Sequence, residues 1–150
     1  MATPRDRAYS QFNFLVSWDD LDPESVKAGF QEVSGLGLEI NIAEYRGGNF
    51  KENGSQKITG SWKVPDITLK RGVIGELDLL QWIEEVRNGS QTALKTVVIE
   101  LLSEDRSATA MKWTLSEARP IKYTGPSLNG KGTDVAMEEL VLATERITME

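Results

Sequence analysis

The sequence predicts a mainly β, antiparallel domain with one α-helix. Three observations carry that expectation. Apolar residues recur at every second position through most of the chain, as in strands with one buried face. A single stretch follows helical spacing. Clusters of Gly, Pro, Asn and Asp separate the runs at short intervals, supplying the turns that antiparallel strands need. Together these signals give roughly seven or eight strands, with no obvious internal repeat.

From Tyr9 to Trp18, the residues Phe12, Phe14, Val16 and Trp18 alternate, predicting a strand with an aromatic inward face. Asp19 to Glu24 is a polar turn, and a short strand near Val26 to Val33 ends at Ser34-Gly35. Leu36, Leu38, Ile40 and Ile42 then alternate with Gly37, Glu39, Asn41 and Ala43. Beyond a Gly-rich loop from Tyr45 to Gly54, Ile58, Gly60, Trp62 and Val64 alternate with Lys57, Thr59, Ser61 and Lys63. The two runs read as a long hairpin, Leu36 to Val64, that needs a partner surface. Pro65 cannot donate to a ladder, so it marks a bend before Ile67 to Gly72 resumes the strand.

The helix is expected from about Gly75 to Asn88, where Leu79, Trp82, Ile83 and Val86 follow the i, i+3, i+4, i+7 pattern. Glu76 and Asp78 near its start, Arg87 near its end and Gly89 just beyond suit the macrodipole and the left-handed stop. Leu94 to Leu102 is a nearly continuous apolar run, predicting a central strand covered on both faces. Met111, Trp113 and Leu115 alternate with Lys112, Thr114 and Ser116, and Arg119-Pro120 bends that strand before Ile121 to Tyr123. After a loop from Gly125 to Gly132, the last strand runs from Asp134 to about Ile147. Its apolar phase changes at Glu138-Glu139, which predicts a bulge or a crossing between sheet environments.

Composition narrows the chemistry. With 150 residues, 39% hydrophobic and 27% charged, the chain is long enough for one domain, 1–150, with a real core. It has no basic N-terminus leading into an apolar run and no membrane-length apolar stretch, so neither a Sec-type signal nor a membrane anchor is expected. It contains no cysteine and no histidine, which removes disulfides, thiolate and imidazole metal sites, and the commonest general base. Carboxylate, lysine and tyrosine chemistry remain formally open, and no cofactor is expected. A net charge of −6 argues against stable nucleic-acid binding over a broad surface.

The remaining candidates have plain readings. The loop Tyr45 to Gly54 lacks phosphate-loop spacing and reads as a mobile hairpin tip whose functional form is contact with a neighbouring subunit, ordered on assembly. The pairs Glu84-Glu85, Glu104-Asp105 and Glu138-Glu139 read as solvated faces ahead of a two-carboxylate cleft, because adjacent residues diverge on strands and helices alike. Lys70-Arg71 reads as a turn-flanking pair available for a salt bridge across an interface. Trp18, Trp62, Trp82 and Trp113 fall in phase with apolar neighbours, predicting core packing for all four. Two polar faces stand out: Glu39, Asn41, Lys57, Thr59, Ser61 and Lys63 on the first hairpin, and Lys112, Thr114, Ser116, Ala136 and Glu138 on the second. They suit the wall of a water-filled channel or the solvent side of a sandwich, and periodicity alone leaves both open.

Several segments, in order, resemble one family: Phe30 to Leu36, Tyr45-Arg46-Gly47-Gly48-Asn49, Ile67 to Gly72, Trp82-Ile83 and Pro120 to Pro126. Together they are similar to the tail-tube proteins of contractile phage tails, with wording nearest to the inner tubes of extracellular contractile injection systems. The resemblance implies a small β-barrel or sandwich with a flanking helix, forming homo-hexameric rings that stack into a hollow tube. It implies that two hairpins, about Leu36 to Val64 and Met111 to Ile147, join those of neighbours into one barrel around the lumen. Glu39, Asn41, Lys57, Thr59, Ser61, Lys63, Lys112, Thr114, Ser116 and Glu138 are the expected lumen-facing residues. Tyr45, Arg46, Gly47, Gly48, Asn49 and Lys51 form the expected intersubunit loop.

Six copies with four strands each would make a barrel about 48 Å across the backbone, with a lumen of roughly 35–40 Å. Protein cargo or DNA could pass. The implied partners are sheath, baseplate and terminator or cap proteins, and the implied location is a released extracellular particle or virion tail assembled in the cytoplasm. Contraction of the sheath would drive the tube through a target envelope. The alternatives are a ring protein of a type VI secretion system and, from a different class, a monomeric β-barrel that binds a small ligand. An enzyme is the weakest rival.

Overall fold

The computed structural model describes residues 2–19, 21–25, 28–90 and 93–150. In chain order the strands are β1 (Phe14–Ser17), β2 (Phe30–Ser34), β3 (Glu39–Tyr45), β4 (Gln56–Lys63), β5 (Ile67–Gly72), β6 (Lys95–Leu102), β7 (Thr109–Thr124), β8 (Met137–Ala143) and β9 (Arg146–Met149). One helix, α1 (Asp78–Arg87), lies between β5 and β6. Seven strands form an antiparallel sheet in the order β1-β6-β7-β8-β5-β2, with β9 also on β7, while β3 and β4 make a separate two-stranded ribbon.

The sheet has two layers because β7 bends. Glu117 takes a left-handed φ of 54° at the corner, and the next residue, Ala118, is fully buried. Before the corner β7 pairs with β6 and β9; after it, Arg119 to Thr124 pair with β8. The layers are therefore β1-β6-β7-β9 and β7-β8-β5-β2. Val16, Val97, Ile99 and Leu115 of the first join Ile67, Leu69, Leu140 and Leu142 of the second in one core. Helix α1 adds Leu79 and Trp82, and the Trp82 ring lies 5.2 Å from that of Trp18, which in turn is 5.9 Å from Phe30. Trp82 Nε1 donates to the Ala93 carbonyl at 2.6 Å, so this indole is buried with its polar atom satisfied.

Several elements differ from the sequence-based expectation. β1 is shorter, because β6 ends at Leu102, whose N–H still donates to the Asn13 carbonyl, and Phe12 and the residues before it find no partner on β6. They form an N-terminal arm instead: Arg5 makes a bidentate pair with Glu104 and sits 3.6 Å over the Tyr9 ring, while Phe12 points outward at 67% exposure. β2 starts at Phe30; the expected start at Val26 lies outside the described residues. The helix begins at Asp78 rather than Gly75, which adopts a φ of +82°, and stops before Gly89 at +85°. β6 is central but buries fully only the Val97 and Ile99 side, with Val98 and Glu100 partly open. The last strand is two strands, β8 and β9, broken at Thr144-Glu145. There is no phase change at Glu138-Glu139: Glu138 is buried in the same phase as Leu140 and Leu142.

Candidate functional site

The ribbon β3-β4 grows out of the sheet, β3 following β2 and β4 leading into β5, and every residue in it is exposed. Its register reads Glu39 with Lys63, Ile40 with Trp62, then Ile42 with Thr59, so β4 advances three residues while β3 advances two. This is a bulge at Gly60-Ser61, where a side chain on Gly60 would meet the Asn41 carbonyl at 3.0 Å. Because opposed residues share a face, the bulge splits the expected polar face. Glu39, Asn41, Ser61 and Lys63 lie on one side, with Asn41 Nδ2 donating to Ser61 Oγ at 3.2 Å. Lys57 and Thr59 lie on the other, beside Leu38, Ile40, Ile42 and Trp62.

That second side is a continuation of the core. Leu36, in phase with Leu38 to Ile42, packs on the core cluster, and Val64, in phase with Trp62, is buried. Further along, the same stripe runs into solvent. Trp62, expected in the core, is 49% exposed, and Leu38, Ile40 and Ile42 are about equally open. The tip has order of its own: Arg46 donates to the carbonyls of Phe50 and Glu52, Phe50 N–H bonds the Gly47 carbonyl, and the Tyr45 ring meets Phe50 edge-on. Gly48, Asn49 and Lys51 sit in this turn at the far end of the ribbon.

The β7-β8-β5-β2 layer carries the second feature. Its outward face shows a charged row across neighbouring strands, Glu32 opposite Lys70 and Lys70 opposite Glu139, with Thr124 completing it on β7. Lys70 Nζ is 3.1 Å from Glu32 Oε2, and this hydrogen bond, with help from Glu139, holds the ammonium pKa above its ordinary value. A second row is Ser34, Thr68, Val141 and Lys122. Sequence reasoning missed this row because it read Lys70-Arg71 as a turn-flanking pair at the strand's end and paired neither residue across the sheet. Among the described residues, the outer edge of β2 and the outer edge of β7 over 119–124 have no strand partner, and they lie at opposite ends of this layer.

Three of the expected lumen-facing residues lie in the other layer. Lys112, Thr114 and Ser116 lie on the part of β7 held between β6 and β9, in the other layer, where Lys112 faces Glu100. The corner at Glu117 separates them from the ribbon's sheet.

Glu138 is a core residue, 4% exposed, and its partner Arg71 is 1% exposed. Arg71 Nε and Nη2 donate to Glu138 Oε1 at 2.8 and 2.6 Å, and Nη1 and Nη2 donate to Asp78 at 3.2 and 2.9 Å. Tyr123 donates to Glu138 Oε2 at 2.6 Å. That bond, together with burial, pushes the phenol up to about 12. Arg71 therefore ties the start of α1 to three strands within its own chain, where sequence reasoning had placed an intersubunit bridge. The expected second hairpin lies in the sheet, β8 and β9 following one another along one edge of β7 with the break at Thr144-Glu145 between them. Ala136, also assigned to its polar face, lies before β8 and accepts from Val73 N–H.

Among the described residues no cluster of acidic or other ligating side chains could hold a metal ion, and no helix is long and apolar enough to cross a membrane. The architecture has close counterparts. A chain of an extracellular contractile injection system, solved as a PVC sheath-tube complex in the extended state, shares 29% identity and a TM-score of 0.78, covering 97% of this chain and 93% of that one. A chain of the anti-feeding prophage cap, the AFP tube terminating cap, shares 26% identity and a TM-score of 0.79 over 100% of this chain and 95% of its own. Hcp1 from Flavobacterium johnsoniae, at 15% identity and a TM-score of 0.55 over 91% and 93% of the two chains, shares the fold alone. No curated protein matches the chain. The profile of the T4-like virus tail tube protein gp19 matches residues 10–148, and the chain belongs to that tail-tube family.

Proposed function

We propose that this chain is the inner-tube subunit of a contractile injection particle, closing into hexameric rings that stack into a hollow, non-catalytic conduit. One observation carries the reading: the β7-β8-β5-β2 layer is open at both of its edges, and the two edges differ. A strand edge with unpaired backbone groups is an association template. When the β2 edge of one copy takes the β7 edge of the next, the contact is heterologous and closes into a ring if the rotation allows. The strands of the layer alternate in direction, so this seam is antiparallel like every other pairing in it.

On this reading the outward face of the layer lines the bore, and Glu39, Asn41, Ser61 and Lys63 extend it along the ribbon. The wall then presents Glu32, Glu39 and Glu139 against Lys63, Lys70 and Lys122, a balanced set that would not trap cargo of either sign. Sheath, baseplate and terminator proteins are the partners, and contraction of the sheath supplies the work. The PVC and AFP similarities support this assignment over a type VI secretion ring, because they exceed the Hcp1 similarity in both identity and TM-score. Electron microscopy of the purified chain tests it. Negatively stained averages are expected to show sixfold rings with a bore of roughly 35–40 Å, from six times four strands at the usual spacing. Protein that stays monomeric at every concentration and salt tried overturns the reading.

A further inference from the structure

The sequence carries the triplet Asn-Gly-Ser twice, as Asn53-Gly54-Ser55 and Asn88-Gly89-Ser90, and one further Asn-Gly pair, Asn129-Gly130. In such a pair the backbone nitrogen of the glycine can attack the asparagine side-chain carbon, and a residue without Cβ neither blocks the approach nor resists the rotation it needs. With the following residues matched, the fold decides which triplet reacts. Asn88 is locked at the end of α1: its N–H bonds the Glu84 carbonyl at 3.0 Å, Gly89 N–H that of Val86 at 3.0 Å, and Ser90 N–H that of Glu85 at 3.2 Å. Its ψ of 7° turns the Gly89 nitrogen away from its own side chain. Asn129 is tied by its side chain, Oδ1 accepting from Lys131 N–H at 3.0 Å, and by its carbonyl, which accepts from Gly132 N–H at 3.0 Å. Asn53 has neither restraint. It is exposed at the ribbon tip, between Glu52, whose carbonyl Arg46 holds, and Gln56, where β4 begins its pairing with Tyr45. Among the described residues no hydrogen bond holds the Asn53 amide or the Gly54 N–H, and a side chain built on Gly54 would meet no atom within 4 Å.

We propose that Asn53 is a site of spontaneous covalent modification, converted through a cyclic imide with Gly54 into aspartate and isoaspartate while Asn88 and Asn129 persist. The Gly54 nitrogen gives its proton to solvent base and bonds to Asn53 Cγ; the Cγ–Nδ2 bond breaks, and the amide nitrogen takes protons from solvent and leaves as ammonia. Water then opens the imide. Cleavage of the new bond gives aspartate on the original backbone, and cleavage of the original peptide bond gives isoaspartate, with the chain running through the side chain. The sum is one water consumed, one ammonia released and one carboxylate gained, with no oxidant or reductant. The new carboxylate stands next to Glu52, and the isoaspartyl form lengthens the chain between the turn that Arg46 clips and the first pair of the ribbon ladder. The conversion needs only the folded chain and water, so it stands apart from the tube reading.

The full-length chain, dilute and unassembled, is held in mildly alkaline buffer and digested at intervals. Mass spectrometry follows the three Asn-Gly peptides, and electron-transfer fragmentation tells isoaspartate from aspartate. Conversion at Asn53 is expected to be well advanced while Asn88 and Asn129 are intact. In denaturing urea, Asn53 and Asn88 should react at matched rates, because both precede Gly-Ser and the helix end no longer protects the second. Gly54→Ala adds a methyl group in open space at a residue without a left-handed φ, so it should keep the melting temperature. It should slow Asn53 about tenfold, a barrier higher by about 1.4 kcal/mol. Asn88 or Asn129 keeping pace with Asn53 in the native chain overturns the assignment. A native preference that persists unchanged in urea overturns its structural cause, and a Gly54→Ala chain that converts at the parent rate overturns the imide route.

Discussion

Removing Glu138 should be the most damaging single change in the domain outside its apolar core. The Arg71 guanidinium is 1% exposed and held by two carboxylates. Glu138→Ala strips the bonds to Nε and Nη2, leaves the guanidinium with Asp78, and orphans the Tyr123 hydroxyl. Removing one partner of a buried ion pair costs about 3–5 kcal/mol, with the lower end expected here because Asp78 still holds the guanidinium. For a chain of this size that lowers the melting temperature by roughly 10 °C. Glu138→Gln keeps an acceptor oxygen for the two Arg71 donors, turns its amide N–H toward the Tyr123 oxygen, and should lose about half as much. In the double variant Arg71→Met/Glu138→Leu, no buried charge remains and Asp78, partly open, returns to water. Its stability is expected within about 2 kcal/mol of the parent. Urea titration of the unassembled chain, read by the fluorescence of Trp18 and Trp82, reports all three, provided the slopes agree. A loss below about 1 kcal/mol for Glu138→Ala, or a double variant no better than the single, refutes the argument that the charge pair is locked.

Three further outcomes are expected. Tyr123 holds its proton to about 12 in the fold, above the ordinary phenol value, so its contribution to stability is complete below pH 10 and is lost as pH rises toward 12. Tyr123→Phe should flatten the fall in stability over that window; an unchanged slope contradicts the assignment. Glu104 is held down to about 2, chiefly by the hydrogen bonds from Arg5, so its contribution is present above its ordinary pKa and fades as pH falls toward 2. Arg5→Ala should return the Glu104 carboxyl to the usual range in an NMR titration, and a carboxyl that stays near 2 would show that Arg5 is not the cause. Gly35 has a φ of +90°, and a side chain there would lie 2.2 Å from the Asp66 carbonyl. Gly35→Ala should therefore cost at least about 2 kcal/mol and disturb the junction of β2 and β3, measured by denaturation and amide exchange.

Strand alternation made most of the fold legible: β3 through β7 and α1 lie where the apolar pattern put them, with ends shifted by a few residues. The failures have physical causes. The alternation of Phe12 to Trp18 described side chains, but a strand also needs a ladder, and β6 is too short to give Phe12 and its neighbours one. A bulge is invisible in letters when Gly occupies it, so Lys57 and Thr59 were placed with Ser61 and Lys63 although one extra residue turns them to the other side. Glu138 broke the apolar phase on paper and keeps it in the molecule, because Arg71 and Tyr123 make a carboxylate acceptable inside. One signal could have exposed this. Arg71 follows Ile67 and Leu69 at strand spacing, and a buried cation demands a buried anion.

The even number of strands in the open layer has a consequence for calibre. Since the layer begins and ends on strands of opposite sense, the joints of the proposed ring would match for five, six or seven members alike, and hydrogen-bond polarity would set no membership. What remains to fix the circumference is how sharply the wall turns at each joint. Both joint strands carry a register shift, between Phe30 and Glu32 on β2 and between Pro120 and Lys122 on β7. Such shifts coil a sheet locally. In the proposed ring these two irregularities would set how sharply the wall turns, and straightening either one should widen the bore.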